Sequence, residues 1–326
     1  MTVGEVGARV ATTSEAGPWI RPPALRPGGC IGIVAPAGPP DRAAIDVGVA
    51  ALRARGFECR VGDHVFAQNG LFAGTDADRA ADLAAMLSDP EIGAVVCARG
   101  GYGSTRLLPL WDPGFLAARP KALVGFSDIT ALHAACARFG LVSFHGAMVA
   151  DLSLEGAGAT NLDALLRALC DPAPLGTPPW PAECTPRVLC PGTARGRIVG
   201  GNLSLLAATL GTPWELDTAG RLLLLEDTHE PAYSLDRYLV QLTQAGKLAA
   251  AAGFLIGELA KCGAPPGGGE PLSVFAEHLV PLGKACVAGL PLGHGVVRWT
   301  LPLGVEAVLD TAGGGLCIVE SAVAAG

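Results

Sequence analysis

Over the first half of the chain, short apolar runs alternate with stretches whose apolar positions recur every three or four residues. Cys30-Ile-Gly-Ile-Val-Ala-Pro36 is such a run and predicts a buried strand; the turn Ala37–Asp41 and a helix to about Arg55 follow it. The pattern continues with a strand near Glu58–Val61, a helix over Asp76–Leu87, the strand Ala94–Ala98 and a helix after Gly103. A strand then ends at Gly125-Phe126-Ser127, helical spacing resumes, and Leu141–His145 reads as a further strand. Strands alternating with helices imply parallel β-α-β units, in which ligands gather at the carboxyl ends of the strands. Three loops share that edge: Pro36–Pro40, Arg99–Ser104 and Gly125–Asp128.

The pattern breaks at both ends of this region. Residues 1–27, with Arg21-Pro-Pro and Arg26-Pro-Gly-Gly, read as a flexible extension, which leaves 28–170 as an N-terminal α/β domain. Residues 171–193 carry too many prolines for a helix or central strand and read as an interdomain linker. Beyond them, 194–326 reads as a second domain with strands at Gly196–Asn202, Arg221–Glu226, Gly253–Gly257, Lys284–Gly289 and Gly315–Glu320. Leu235, Tyr238, Leu239 and Leu242 mark a helix from about Ser234 to Gly246, and no repeat of fixed period runs through the chain.

Composition narrows the function. With 326 residues, 50% hydrophobic and 16% charged, the chain can bury a large core and divide into two domains. A net charge of −7 without basic clusters argues against nucleic acid and for small molecules or peptides. The ten cysteines are spread without a C-x-x-C pair, which reads as free thiols in a reducing cytosol, with no structural metal and no cofactor. The first 27 residues hold no apolar signal core, and no apolar segment is long enough to span a bilayer, so a cytoplasmic protein without a membrane partner is expected.

Ser127 stands at a strand-to-helix turn, where it is a nucleophile on a sharp elbow, or else Ser127 or Asp128 is simply an N-cap; Ile129 occupies the place of the elbow's second glycine. Arg99-Gly-Gly-Tyr-Gly-Ser104 could be a tight turn, a phosphate loop or an oxyanion loop, although it matches neither common nucleotide motif. If Ser127 is acylated, the backbone N–H of Asp128 and that of Gly100 or Gly101 could hold the oxyanion. For the base, His294 lies in a Gly/Pro-rich loop after a strand, whereas His133 sits on a helix that carries it away, packed or solvated. His145 either contacts substrate or makes a structural hydrogen bond, His229 is a weaker local base, and His64 and His278 have ordinary polar surroundings. Glu226, at the end of an apolar run, Asp227 or Glu230 could orient a histidine, with capping or solvated pairing the plainer reading of Asp227, Glu230 and Asp236. Tyr102, Arg106, His145 and Asn202 stand as substrate-binding candidates, Arg106 because it could hold a carboxylate.

Seven segments, in order from residue 30 to 294, resemble the LD-carboxypeptidase family of serine peptidases, which includes muramoyl-tetrapeptide carboxypeptidases and microcin C self-immunity peptidases. They are Ile31-Gly-Ile-Val-Ala-Pro-Ala-Gly, Ala98-Arg-Gly-Gly-Tyr-Gly-Ser, Val124-Gly-Phe-Ser-Asp-Ile-Thr-Ala-Leu, Phe144-His-Gly, Gly200-Gly-Asn-Leu, Leu225-Glu-Asp-Thr-His-Glu-Pro and Gly289-Leu-Pro-Leu-Gly-His. The resemblance implies catalytic Ser127, Glu226 and His294, a layered flavodoxin-like N-terminal domain of parallel strands, a smaller β-rich C-terminal domain, a site between them and a homodimer. It further implies release of the terminal D-alanine of muropeptide tetrapeptides, or, alternatively, cleavage of an aminoacyl-nucleotide-like amide. Two features depart from the family: Ala147 replaces a common proline, and the extension is long. A ligand-binding protein that closes two α/β domains without catalysis is the rival from another class.

Overall fold

A computed structural model describes residues 19–325, apart from 183 and 314. The first half builds β1 (Cys30–Val34), α1 (Arg42–Ala54), β2 (Glu58–Val61), α2 (Asp76–Ser88), β3 (Ile92–Cys97), β4 (Ala122–Gly125), α3 (Thr130–Arg138), β5 (Ser143–His145) and α4 (Gly158–Cys170). Strand β1 is buried along its whole length because helices cover both faces of the sheet, which is why its sequence is a continuous apolar run. Helix starts are set locally: Asp41 caps α1 by accepting the Ala44 N–H at 2.9 Å, and Thr75 and Asp78 form a capping box on α2.

The second half contains β6 (Arg187–Cys190), β7 (Thr193–Asn202), α5 (Leu203–Ala208), β8 (Leu222–Thr228), α6 (Ala232–Gln244), α7 (Lys247–Ala250), β9 (Gly253–Ala260), α8 (Pro271–Leu279), β10 (Cys286–Ala288), β11 (Leu301–Leu303), β12 (Glu306–Asp310) and β13 (Gly315–Ile318). The strands form two sheets. One is six-stranded, ordered β11-β5-β4-β3-β1-β2, with β2-β1-β3-β4-β5 parallel in the flavodoxin-like order. The other is seven-stranded, ordered β13-β12-β7-β8-β9-β10-β6, with β7, β8, β9 and β10 parallel and the flanking strands antiparallel. No helix among the described residues is long and apolar enough to cross a membrane.

Four expectations change. Residues 19–27 are not loose: Trp19 and Leu25 are buried, Ile20 bridges Leu141, and the Leu25 N–H bonds Leu169 O, whereas residues 1–18 of the expected extension lie outside the described residues. The stretch 171–193 is not only a linker, since β6 lies within it; Pro186 and Pro191 bracket a sheet edge, where missing N–H groups are tolerated. The boundary at 194 does not separate the sheets either, because β11 pairs antiparallel with β5 and completes the first sheet. After Gly103 the chain makes one 3-10 turn, Ser104–Leu107, instead of a full helix.

Candidate functional site

The end of β4 delivers Ser127. Gly125 leaves space for Ile129, whose side chain is fully buried in the core, so the apolar residue in the elbow's second-glycine place serves packing. Ser127 has a φ of 63°, a left-handed conformation that a non-glycine residue adopts at a cost. The Ser127 side chain receives no cap role; His294 Nε2 lies 3.0 Å from its Oγ. Gly100 packs against this residue so closely that a Cβ there would stand 3.0 Å from Ser127 Cβ and 3.2 Å from Oγ.

Glu226 is carried by β8, next to a register shift against β9: Leu225 pairs with Ile256 and Asp227 with Leu259. The extra residue on β9 is a bulge that leaves both Gly257 and Glu258 opposite Glu226. Gly257 gives Glu226 room, and Gly293, at φ 110°, lies against the Glu226 carboxylate where any side chain would collide. That contact sets up the next residue: His294 Nδ1 is 2.7 Å from Glu226 Oε2. Because an ionised carboxylate only accepts, Nδ1 carries the proton and Nε2 is left to accept from the Ser127 hydroxyl. Burial works to lower the His294 pKa, but the Glu226 hydrogen bond and the charges of Glu226, Asp227 and Glu258 hold it above its ordinary value. A hydroxyl, an imidazole and a fully buried carboxylate joined in this order can move a proton off the hydroxyl and return it to a leaving group.

The other candidates are sorted by the fold. Gly101 and Asp128 lie on the two segments that meet at Ser127: Ser104 N donates to Asp128 Oδ2 at 2.7 Å, and Ser104 Oγ bonds Asp128 O, tying the glycine loop to the elbow. Burial raises the Asp128 pKa, opposed by these bonds. Tyr102 is exposed and tilts on Phe72, 5.7 Å between centroids. Arg106 already holds both oxygens of Asp76 from its Nε, at 3.0 and 2.9 Å, so its charge is engaged within the protein. Asn202 is buried; it caps α5 by accepting the Leu205 N–H and donates to Asp227 Oδ1 at 2.9 Å, a structural use of both ends of its amide.

His145 is fully buried behind Phe126, edge-on at 5.9 Å, and burial lowers its pKa well below the usual value. His133 is packed and not solvated: it bonds Ser143 Oγ and Gly125 O, and burial lowers its pKa to about 4, so this neutral ring buttresses the end of β4. Asp227 accepts from Asn202, Ser204 and Thr228 and belongs to the cap of α5. His278 pairs with Asp236 at 2.8 Å, and His229 Nδ1 with Thr228 Oγ1 at 2.9 Å.

Sequence reasoning passed over Glu258, which stands third from the end of β9 as Glu226 stands third from the end of β8, and which the same pattern of an acid after an apolar run could have nominated. Gly295 lies against its carboxylate, burial and the Glu226 charge push its pKa up to about 7, and it lines an open cavity of ≈ 370 Å³ with Leu259, Glu270, Leu272 and Gly295. It also passed over Arg298, whose guanidinium pairs with Asp151, because neither residue lies in a motif.

Residues 31–146 match the LD-carboxypeptidase N-terminal domain and residues 195–309 the LD-carboxypeptidase C-terminal domain. The chain is similar to a protein of Bacillus subtilis (strain 168) named probable murein peptide carboxypeptidase, 38% identical over 298 residues, covering 90% of this chain and 92% of that one. It is 32% identical over 298 residues to the murein tetrapeptide carboxypeptidase of Pseudomonas aeruginosa, covering 86% and 93%. Its fold is that of MccF in complex with glutamyl sulfamoyl guanosine, with a TM-score of 0.86, 21% identity, and 93% and 99% of the two chains covered. With both domains matched in order, the chain belongs to the LD-carboxypeptidase family of serine-type peptidases.

Proposed function

We propose that this protein is a serine carboxypeptidase that hydrolyses the L,D-peptide bond of a muropeptide tetrapeptide and releases its terminal D-alanine, as in cell-wall recycling. The observation that carries the reading is the hydrogen-bonded chain from Ser127 through His294 to Glu226, with Ser127 on a strained turn beside a glycine loop. Ser127 Oγ attacks the scissile carbonyl as its proton passes to His294 Nε2, and Glu226 stabilises the imidazolium. The N–H groups of Gly101 and Asp128 serve the tetrahedral oxyanion. Collapse transfers the Nε2 proton to the amine of departing D-alanine, and water, deprotonated by the same imidazole, then frees the acyl group and restores Ser127. The names of the two curated relatives support murein peptides as the substrate class. The resemblance also brings a cytoplasmic setting and a homodimer, the latter checked by sedimentation.

The fold shared with MccF supports a second reading, cleavage of an aminoacyl-nucleotide-like amide by the same residues. Mass spectrometry of L-Ala-γ-D-Glu-meso-diaminopimelate-D-Ala and of glutamyl sulfamoyl adenosine, each incubated with wild type and Ser127→Ala, separates the two. Release of D-alanine by wild type alone supports the carboxypeptidase. Cleavage of the sulfamoyl compound alone moves the protein to the second reading, and activity that survives in Ser127→Ala defeats the mechanism.

A further inference from the structure

Ser127 is delivered by the first sheet, whereas Glu226 and His294 are held together by the second. The 2.7 Å bond between His294 and Glu226 is therefore internal to one half, but the 3.0 Å approach of His294 to Ser127 spans the two. The segment that follows His294 crosses that seam before it enters the first sheet as β11. Arg298 is its anchor. Its backbone N–H donates to Asn161 Oδ1 at 2.8 Å, on α4. Its Nε donates to Gly295 O at 3.0 Å, closing the turn directly after His294. Its guanidinium pairs with Asp151, a residue in the 3-10 helix Val149–Ser153 of the first half. The charge also lies 5.3 Å from the Phe126 ring centroid, and Phe126 both precedes Ser127 and meets the His294 ring edge-on at 4.9 Å.

The receiving side is rigid. Asp151 is 7% exposed along its side chain and accepts the Met148 N–H at 2.7 Å, while the fully buried Asn161 donates to Asp151 O at 3.3 Å. A buried ion pair of this kind is poor evidence for stability, since a well-packed apolar pair often does as well, but it fixes one geometry. Building on the proposed roles of Ser127 and His294, we infer that Arg298 is a positioning residue: clamped to Asp151 and Asn161, it holds the His294 turn against the Ser127 elbow across the seam between the two sheets.

The test uses the full chain and steady-state D-alanine release. Arg298→Gln alone strands the buried Asp151 carboxylate, so it is paired with Asp151→Asn, whose amide oxygen still accepts the Met148 N–H. Arg298→Lys keeps the charge for Asp151 but cannot also bond Gly295 O. A misplacement of about 1 Å between reacting groups costs roughly 100-fold in rate. The double variant is therefore expected to unfold cooperatively near the wild-type temperature, with kcat lowered about 10- to 100-fold and KM within about twofold. Its acid-limb pKa should match wild type, because the Glu226–His294 pair is untouched, and Arg298→Lys should fall between the two. Wild-type kcat in either folded variant, a loss confined to KM, or a displaced acid limb would overturn the positioning role; if the double variant does not fold, Arg298→Lys decides alone. Ser127→Ala in parallel keeps the two readings apart: activity in that variant removes the mechanism, whereas its inactivity beside unimpaired Arg298 variants removes only the clamp.

Discussion

Glu226→Gln isolates the charge that faces His294 while keeping the shape of the side chain. Glu226 is fully buried and its Oε2 lies 2.7 Å from His294 Nδ1. In the proposed mechanism His294 becomes an imidazolium in the transition state, and two unit charges about 4 Å apart at an effective permittivity of about 20 attract by ~4 kcal/mol. At about 1.4 kcal/mol per factor of ten, the variant should lose roughly 10³ in kcat. The amide adds a second fault: if its NH₂ donates to Nδ1, the imidazole carries its proton on Nε2 and cannot accept from Ser127. The pH profile gives an independent check. As the proposed base His294 must be neutral, so wild-type activity should be lost as pH falls through a pKa held above the ordinary value by Glu226 against the opposing effect of burial. With the carboxylate gone, the residual rate should persist to lower pH. D-alanine release followed by mass spectrometry from about pH 5 to 9 measures both effects. A Glu226→Gln enzyme within tenfold of wild type, with an unmoved acid limb and an intact thermal transition, would refute the electrostatic account.

Three further perturbations probe the surroundings. Ser127→Gly and Ser127→Ala both lack the hydroxyl, so both should be inactive, but only glycine relieves the φ of 63°; urea unfolding should find Ser127→Gly the more stable by about 1 kcal/mol, and equal stabilities would remove the strain. In Gly100→Ala the new methyl meets Ser127 Cβ and Oγ at 3.0 and 3.2 Å, so kcat/KM should fall at least about tenfold with an unchanged circular dichroism spectrum. Glu258, with its pKa pushed up to about 7, helps when ionised to hold the His294 pKa up, so Glu258→Gln should move the acid limb of kcat/KM to lower pH; an upward shift would contradict the field assigned to it.

Much of the fold was legible because its signals are local. The continuous apolar run at Cys30–Val34 and the capping box at Thr75–Asp78 each specify an element from a few neighbouring residues. The missed features depend on distant partners. Nothing in Arg187–Cys190 announces a strand until β10 pairs with it, and Leu301–Leu303 joins the first sheet only because β5 is there to receive it. Trp19 is buried against Gly304, with Arg197 and Arg221 beside its ring at 5.9 and 5.3 Å, contacts that no local pattern encodes.

The site follows the same division. Ser127 could be nominated from its own turn, but His294 lies 167 residues away and was only one of several histidines until the family resemblance selected it. What the structure adds is a concentration of broken local rules in one place. Ser127 sits at positive φ, and among the described residues Asp128 Oδ1, Glu226 Oε1, Glu258 Oε2 and both ring nitrogens of His145 are buried without a hydrogen-bond partner. Arg79 Nε, Trp111 Nε1 and Thr300 Oγ1 share that condition, and each such group costs about 1–3 kcal/mol, so local rules are broken most often, though not solely, in the residues of this site and its neighbours. The three carboxylates near His294 divide the work. Burial and the Glu226 charge push Asp227 up to about 6 and Glu258 up to about 7, so both take up a proton and lose their negative charge early as pH falls, while Glu226 is the one that holds the imidazole directly. The imidazole is thereby oriented by one acid and tuned by two, an arrangement that suits the proposed base, which must take up a proton and release it again in each half of the proposed hydrolysis.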